Sequence, residues 1–175
     1  MDIVGLGYKI VEQLIAAGLV KDVADLFTLN KEQLLTLEGF ADKKAENLLK
    51  SLEQAKGQSL NRLIAALGIH GVGEVMAGDL SRAFGDLSAL SKASADDLQQ
   101  MEGLGPNIAE SIVDWFSQSA NQKVLKKLKA AGVWPLAKKD ERKKEGAFTG
   151  LTFVVTGTLP TLSREGVKEF IEDNG

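Results

Sequence analysis

The chain has 175 residues, 44% of them hydrophobic, enough for one well-filled core and the beginning of a second, since domains commonly run to about 100–150 residues. It has no cysteine and a single histidine, which rules out a disulfide framework and a thiolate zinc site and leaves no basis for a histidine-built metal cluster. With a net charge of −3, no apolar run of about 18 residues and no basic leader at Met1-Asp2-Ile3-Val4-Gly5, a soluble cytoplasmic protein is expected, and a polyanionic ligand would have to be held by something other than bulk basicity.

Four short glycine-centred segments recur along the chain: Val4-Gly5-Leu6-Gly7, Glu38-Gly39-Phe40-Ala41, His70-Gly71-Val72-Gly73 and Glu102-Gly103-Leu104-Gly105. Their leading glycines are 34, 32 and 32 residues apart, a period that marks an internal repeat. Four residues past the second small residue stands Val11, Ala45, Ala77 or Ala109, and three further on Leu14, Leu48, Leu80 or Ile112. This spacing puts one small and one large apolar side chain on a common helical face after each segment.

Compact helices with recognisable ends lie between the segments. Asp22 precedes Val23-Ala24-Asp25-Leu26-Phe27, and Asn30 precedes Lys31-Glu32-Gln33-Leu34-Leu35, with Gln33 three residues past the cap as a capping box requires. Ser94 with Asp97 repeats that arrangement less strictly. After the fourth segment Pro106 occupies the first helical position, where a missing N–H costs nothing, and Ile108, Ala109, Ile112, Val113 and Phe116 form the buried stripe. Asn121 reads as the cap of a last helix carrying Val124, Leu125 and Leu128, which Gly132 ends. Residues 1–134 are therefore expected to be all-helical. Phe84, Trp115 and Phe116 stand at helical spacings with aliphatics, as core residues do, and Lys126, Lys127 and Lys129 read as a solvated face.

In a turn of pattern apolar-Gly-apolar-Gly, both glycines permit positive φ and close approach of another backbone, while the apolar residue between them anchors the turn. The N–H groups of the turn and of the following helix would point outward together, a nest suited to a phosphate oxygen. A grip of this kind holds the phosphodiester backbone and reads no base edge. The candidate binding residues are Gly5, Gly7, Gly39, Gly71, Gly73, Gly103 and Gly105, joined by Lys9, Lys43, Lys44, His70 and Asn107 beside the turns. His70 reads first as a partly buried turn residue and next as a phosphate contact. The second copy departs from the pattern: Phe40 and Ala41 replace a small aliphatic residue and a glycine, which suits a turn that packs more than it binds.

From Trp134-Pro135 onward the character changes. Residues 135–147, with the run Lys138-Lys139-Asp140-Glu141-Arg142-Lys143-Lys144-Glu145, read as a charged linker. Leu151-Thr152-Phe153-Val154-Val155-Thr156 has the β-branched density of a buried strand, Thr156-Gly157-Thr158 reads as a structural turn, and Ser163 can cap a helix bearing Val167, Phe170 and Ile171. A strand, turn and helix make half of a βαβ unit, so 148–175 is expected to be poorly ordered or to lean on a neighbour.

The glycine segments and the helices they introduce resemble the helix-hairpin-helix family, whose motifs pair about a pseudo-twofold axis and straddle the minor groove. Residues 148–159, Phe-Thr-Gly-Leu-Thr-Phe-Val-Val-Thr-Gly-Thr-Leu, resemble the first strand of a BRCT domain, and the helix ending at Asp173-Asn174-Gly175 its first helix. Four hairpins, a charged linker and a BRCT start, in that order, resemble the C-terminal part of the bacterial NAD-dependent DNA ligases. The fold this implies is all-α: tandem helix-hairpin-helix repeats over 1–134 in two pseudo-twofold pairs, then the linker 135–147 and an incomplete α/β BRCT fragment over 148–175.

In that family the enzyme transfers AMP from NAD to a lysine of a Lys-x-Asp-Gly motif, then to the 5′-phosphate at a nick, and seals the strand in replication and repair. The resemblance implies NAD, Mg and Zn for the parent enzyme and none for this stretch. No Lys-x-Asp-Gly occurs here, since Lys138-Lys139-Asp140-Glu141 has glutamate in the glycine position, and the family's four-cysteine zinc module is expected before Met1. The chain should then bind without ligating and carry no catalytic residue. Its implied partners are double-stranded nicked DNA and the remaining ligase domains, with no membrane, and its implied location is the bacterial cytoplasm at the nucleoid. Two other readings stay open: the helix-hairpin-helix tail of an excision-repair nuclease, and a protein-interaction module, which the acidic net charge supports.

Overall fold

The computed structural model describes residues 3–137 and, beyond them, the single positions 148, 151, 153, 154, 166, 167, 170, 171 and 174. The chain divides into two units, 1–138 and 139–175. In the first, the described elements are α1 (Tyr8–Ala16), a 3₁₀ segment (Val23–Thr28), α2 (Lys31–Leu35), α3 (Asp42–Lys56), α4 (Leu60–Ala66), α5 (Glu74–Phe84), α6 (Leu87–Leu90), α7 (Ala95–Gln99), α8 (Pro106–Ser117) and α9 (Ser119–Ala130). No described residue is in a strand, so the all-α, tandem-hairpin fold expected for this part of the chain is the one observed.

The short connecting helices are started by their own side chains. Asp22 Oδ1 accepts from the Ala24 N–H, and Asp25 Oδ2 accepts in return from the N–H groups of Lys21 and Asp22. Asn30 and Gln33 close a reciprocal box at the start of α2, and Ser94 and Asp97 do the same at α7, more completely than the sequence suggested. Asp86 Oδ1 accepts from Ser88 and Ala89 at α6, a cap not foreseen. Asp86 and Ser94 stand at the same offsets from Gly103 as Asp22 and Asn30 from Gly39, so the caps repeat with the turns.

One expected cap is placed differently. Helix α9 begins at Ser119, directly after the chain breaks direction at Gln118, so Asn121 lies inside it rather than at its start. The break orphans the last carbonyls of α8, and two amides of α9 satisfy them. Asn121 Nδ2 donates to the Trp115 carbonyl at 2.8 Å, and Gln122 Nε2 to that of Phe116 at 3.1 Å.

Two hydrophobic clusters form. Leu14, Leu34, Ala45, Leu48 and Leu52 fill the first, and Leu60, Ile64, Leu80, Leu98, Ile112 and Leu128 anchor the second. Of the residues the repeat marked as buried, Leu14, Ala45, Leu48, Ala77, Leu80, Ala109 and Ile112 are buried, while Val11 is only partly so. Phe116 is buried, and Trp115 and Phe84 pack against the second cluster, so the aromatics serve the core. The 3₁₀ segment joins the two halves: Ala24 belongs to the second cluster, Phe27 touches both, and the segment packs on α9.

A charge clasp reinforces this joint. Lys127 Nζ reaches Asp22 Oδ2 at 2.6 Å and Asp25 Oδ1 at 2.7 Å, the two carboxylates that cap the 3₁₀ segment. The face expected to be solvated is thus partly engaged, and Lys129 Nζ lies 5.0 Å from the centroid of the Trp134 ring. The ammonium of Lys127 is the main cause that holds the Asp25 carboxyl below its ordinary value of 3.8.

Trp134 packs against the second cluster and the Ala137 N–H donates to the Gly85 carbonyl at 2.7 Å, so these residues lie on the helical unit. Positions 138–147, most of the expected strand over 151–156, the Thr156-Gly157-Thr158 turn and Ser163 lie outside the described residues. In the second unit, the Phe148 ring meets those of Phe153 and Phe170 edge-on at 4.9 and 6.0 Å, and the Phe148 N–H donates to the Asn174 carbonyl at 3.1 Å.

Leu80→Ala, which empties a fully buried site, should cost about 2–5 kcal/mol in urea denaturation. The Asp25 pairing, with its folded pKa lowered, stabilises the protein above the unfolded value of 3.8 and ceases to do so as pH falls through the folded value. The loss of stability between pH 6 and pH 3 should therefore be smaller in Lys127→Met than in the wild type.

Candidate functional site

The four glycine segments fold alike. The N–H of Leu6, Phe40, Val72 or Leu104 donates to the carbonyl three residues back, that of Ile3, Leu37, Ile69 or Met101, at 3.0–3.2 Å. The leading glycine of each stands at positive φ: Gly5 at 87°, Gly39 at 70°, Gly71 at 80° and Gly103 at 79°. With no other residue type at positive φ among those described, these are type II turns, whose third position favours glycine.

The second small residue behaves differently from expectation. Gly7, Ala41, Gly73 and Gly105 have φ of −86°, −118°, −90° and −75° with extended ψ, a conformation open to any residue. Each is the N-cap of the helix that follows, α1, α3, α5 or α8. Ala41 therefore imposes no strain, and the second turn has the same backbone course as the other three.

These four helices also start without a side-chain cap, because glycine and alanine have no oxygen to offer. The small residues of all four turns are exposed. Four helix N-termini thus present uncapped amides and the positive end of the helix dipole to solvent. The 3₁₀ segment, α2, α6 and α7, in contrast, are closed by Asp22, Asn30, Asp86 and Ser94, while α4 and α9 start behind Ser59 and Gln118 without a side-chain cap.

The turns come together in pairs. A Cβ on Gly71 would lie 2.9 Å from Ile108 Cγ1, so the third turn abuts the helix that the fourth one starts. In the first pair, Gln13 Nε2 donates to the Glu38 carbonyl at 3.3 Å, Lys44 lines a groove with Gly5, and Ile10 lines one with Phe40.

Charge is unevenly shared between the pairs. Lys9 and Lys43 are exposed beside the first two turns, whereas Lys44 folds back: its Nζ donates to the Gly39 carbonyl at 3.1 Å and lies 4.3 Å from the Phe40 ring centroid. Asp42, at the exposed start of α3, is held by Lys31 at 2.7 Å, which keeps its carboxyl below the usual value; Lys31 also takes Glu46 at 2.7 Å. This neutralisation was not visible in the sequence, where Lys31 is merely the first residue of another helix. In the second pair His70 is exposed, correcting the expectation of partial burial: it occupies the second position of its turn, at the tip. Glu74 and Glu102 are exposed there as well, and Asn107 is exposed with its carbonyl accepting from Ser111 Oγ at 2.8 Å. Among the described residues no three His, Asp or Glu gather as a metal site, and no helix is long and apolar enough to cross a membrane.

The family described as "SAM-like Helix-hairpin-helix tandem" matches residues 1–54 and the one described as "Helix-hairpin-helix motif" matches residues 62–125. The chain is 47% identical over 175 residues to a DNA ligase of Trichlorobacter lovleyi, 45% over 176 residues to one of Petrotoga mobilis and 44% over 175 residues to one of Chloroflexus aggregans. Each alignment covers all of this chain and only 25–26% of the relative, so the chain spans about a quarter of the curated proteins it matches.

The two small positions of one turn should respond oppositely to the same change. Gly71→Ala combines a left-handed φ with the Ile108 contact and should cost at least about 1–2 kcal/mol, while Gly73→Ala, extended and with open space around it, should stay within about 0.5 kcal/mol, as thermal melts would record.

Proposed function

Homologous over its whole length to a segment of the DNA ligases, this chain is, we propose, the part of such an enzyme that grips duplex DNA around a nick, using main-chain amides on the phosphodiester backbone. The observation that carries the reading is that α1, α3, α5 and α8 each start, uncapped and exposed, at a glycine or alanine directly behind the same positive-φ glycine turn. A phosphate oxygen supplies the acceptor that a serine or aspartate supplies elsewhere, and it sits at the favourable end of the helix dipole.

This explains how a chain of net charge −3 can hold a polyanion. Each turn offers a few donors fixed in place by the fold, so little ordering entropy is lost when they engage. No base edge is read, and binding follows backbone shape rather than sequence. Two hairpin pairs on rigid helices would contact the backbone at two places and favour the duplex geometry that fits both. Gly5, Gly7, Gly39, Gly71, Gly73, Gly103 and Gly105 provide clearance, Lys9 and Lys43 add charge at the first pair, and His70 and Asn107 lie within reach at the second. Lys44 acts on its own turn, fixing Gly39 and adding positive charge to it.

The wider reading is that the parent is an NAD-dependent, nick-sealing enzyme of the cytoplasm acting in replication and repair, with the remaining ligase domains as this segment's covalent partners. Its Zn would not be held by these residues, which include no cysteine and, among those described, no cluster of three His, Asp or Glu. No chemical step is assigned to them. The segment's part is to bind and orient, and the relatives' names favour this over the nuclease reading.

Two measurements test it. Titration of labelled nicked duplex at two salt concentrations should give binding that weakens steeply as salt rises, and undetectable binding at low salt would refute the reading. Gly105→Val should fold normally, since φ is −75° and nothing lies within 4 Å of its Cβ, yet bind more weakly because the side chain occupies the space a phosphate would approach through.

A further inference from the structure

Beyond the turns, the longest of the described helices carries a surface that the hairpin reading leaves unused. On α3, Lys43, Asn47, Lys50, Ser51 and Gln54 follow the spacing of a single helical face. All five line a groove of about 750 Å³ that opens at Val4 and Gly5 of the first turn. Its apolar floor is formed by Ile10, Phe40 and Leu48. No carboxylate lines it among the described residues.

The acidic residues of α3 lie elsewhere and are occupied. Asp42 and Glu46 are held by Lys31, and Glu53 by Lys56 at 2.7 Å. The other hairpin helices carry no such stripe. Counted from their leading glycines, Asp79 of α5 takes the place of Asn47, and Asp114 of α8 takes the place of Lys50. Helix α1 has no acid at these offsets either, but Ala16 stands in the place of Lys50, so the second lysine on a carboxylate-free face is particular to α3.

We infer that this groove is a second nucleic-acid contact, in which a strand held at the first two turns continues along α3, its phosphates against Lys43 and Lys50 and its sugars over Ile10 and Phe40. The occupant follows from charge and shape together. A linear run of cationic and amide groups from Lys43 to Gln54, about 16 Å long at roughly 1.5 Å per residue, matches a backbone of regularly spaced anions. The apolar floor suits the faces of the sugars. The departure of the second hairpin from its repeat gains a purpose on this view, since Phe40 builds the floor and Ala41 keeps the groove open at its end. The inference rests on the duplex-binding function proposed above.

The test uses the full chain with labelled nicked duplex, comparing wild type with Lys50→Gln, Gln54→Ala and, as a control on α9, Lys123→Gln. Lys50→Gln should weaken binding and make the slope of log affinity against log salt shallower by about 0.9, the loss of one phosphate contact. Gln54→Ala should weaken binding with little change of slope, and Lys123→Gln should match wild type. Circular dichroism checks that each variant is folded. Wild-type affinity and slope in Lys50→Gln would overturn the groove while leaving the hairpin function standing. Absence of duplex binding by the wild type would overturn both. Loss of a labelled polyglutamate peptide, with duplex binding retained in Lys50→Gln, would also overturn the inference and make the groove a seat for an acidic protein segment.

Discussion

A helix cannot satisfy its own first amides, and the way each helix of this chain meets that constraint organises the molecule. At the 3₁₀ segment, α2, α6 and α7, Asp22, Asn30, Asp86 or Ser94 turns a side-chain oxygen onto the orphan donors and closes the end. Where a helix follows a glycine turn, the capping position is filled by glycine or alanine and the end stays open. The open ends behind the glycine turns follow the repeat, so sequence positions that build the fold also decide where much of the unmet hydrogen-bonding capacity reaches the surface. An acidic protein thereby exposes unfilled donors at four helix starts.

The placing of those points depends on how the two halves are joined. Each hairpin pair has its own apolar cluster, and the 3₁₀ segment bridges them through Ala24 and Phe27. Lys127 fastens this bridge to α9 from the far half of the chain, reaching the carboxylates that form the segment's cap. A capping box and an interhelical clasp thus share the same two aspartates, which couples the local start of a short helix to the separation between hairpin pairs.

Much of this was legible in the residues. The spacing of the glycine segments and of the apolar pairs behind them fixed the repeat, the helical class and most of the core, because helical periodicity is a local property. The caps at Asp22, Asn30 and Ser94 could be read for the same reason. Asn121 misled because a cap residue and a donor to the preceding helix look identical in sequence; only the abrupt junction at Gln118 distinguishes them. The clasp at Lys127 and the capture of Asp42 by Lys31 could not be read, since each joins residues far apart in the chain or on different helices. The second hairpin, expected to differ, has the same backbone course as the other three; what differs among the four is the surrounding charge, set by side chains that tertiary packing brings in.

The two small residues of each turn answer to different constraints. The leading one is fixed by its own backbone, whatever surrounds the molecule; the other has an ordinary extended conformation that tolerates a methyl group, as Ala41 demonstrates. Where that position is nevertheless glycine, at Gly7, Gly73 and Gly105, the fold of the chain supplies no steric reason for it. Variation among descendants of this sequence would separate the two positions, the leading glycine held by foldability and its neighbour free, as far as the fold is concerned, to change.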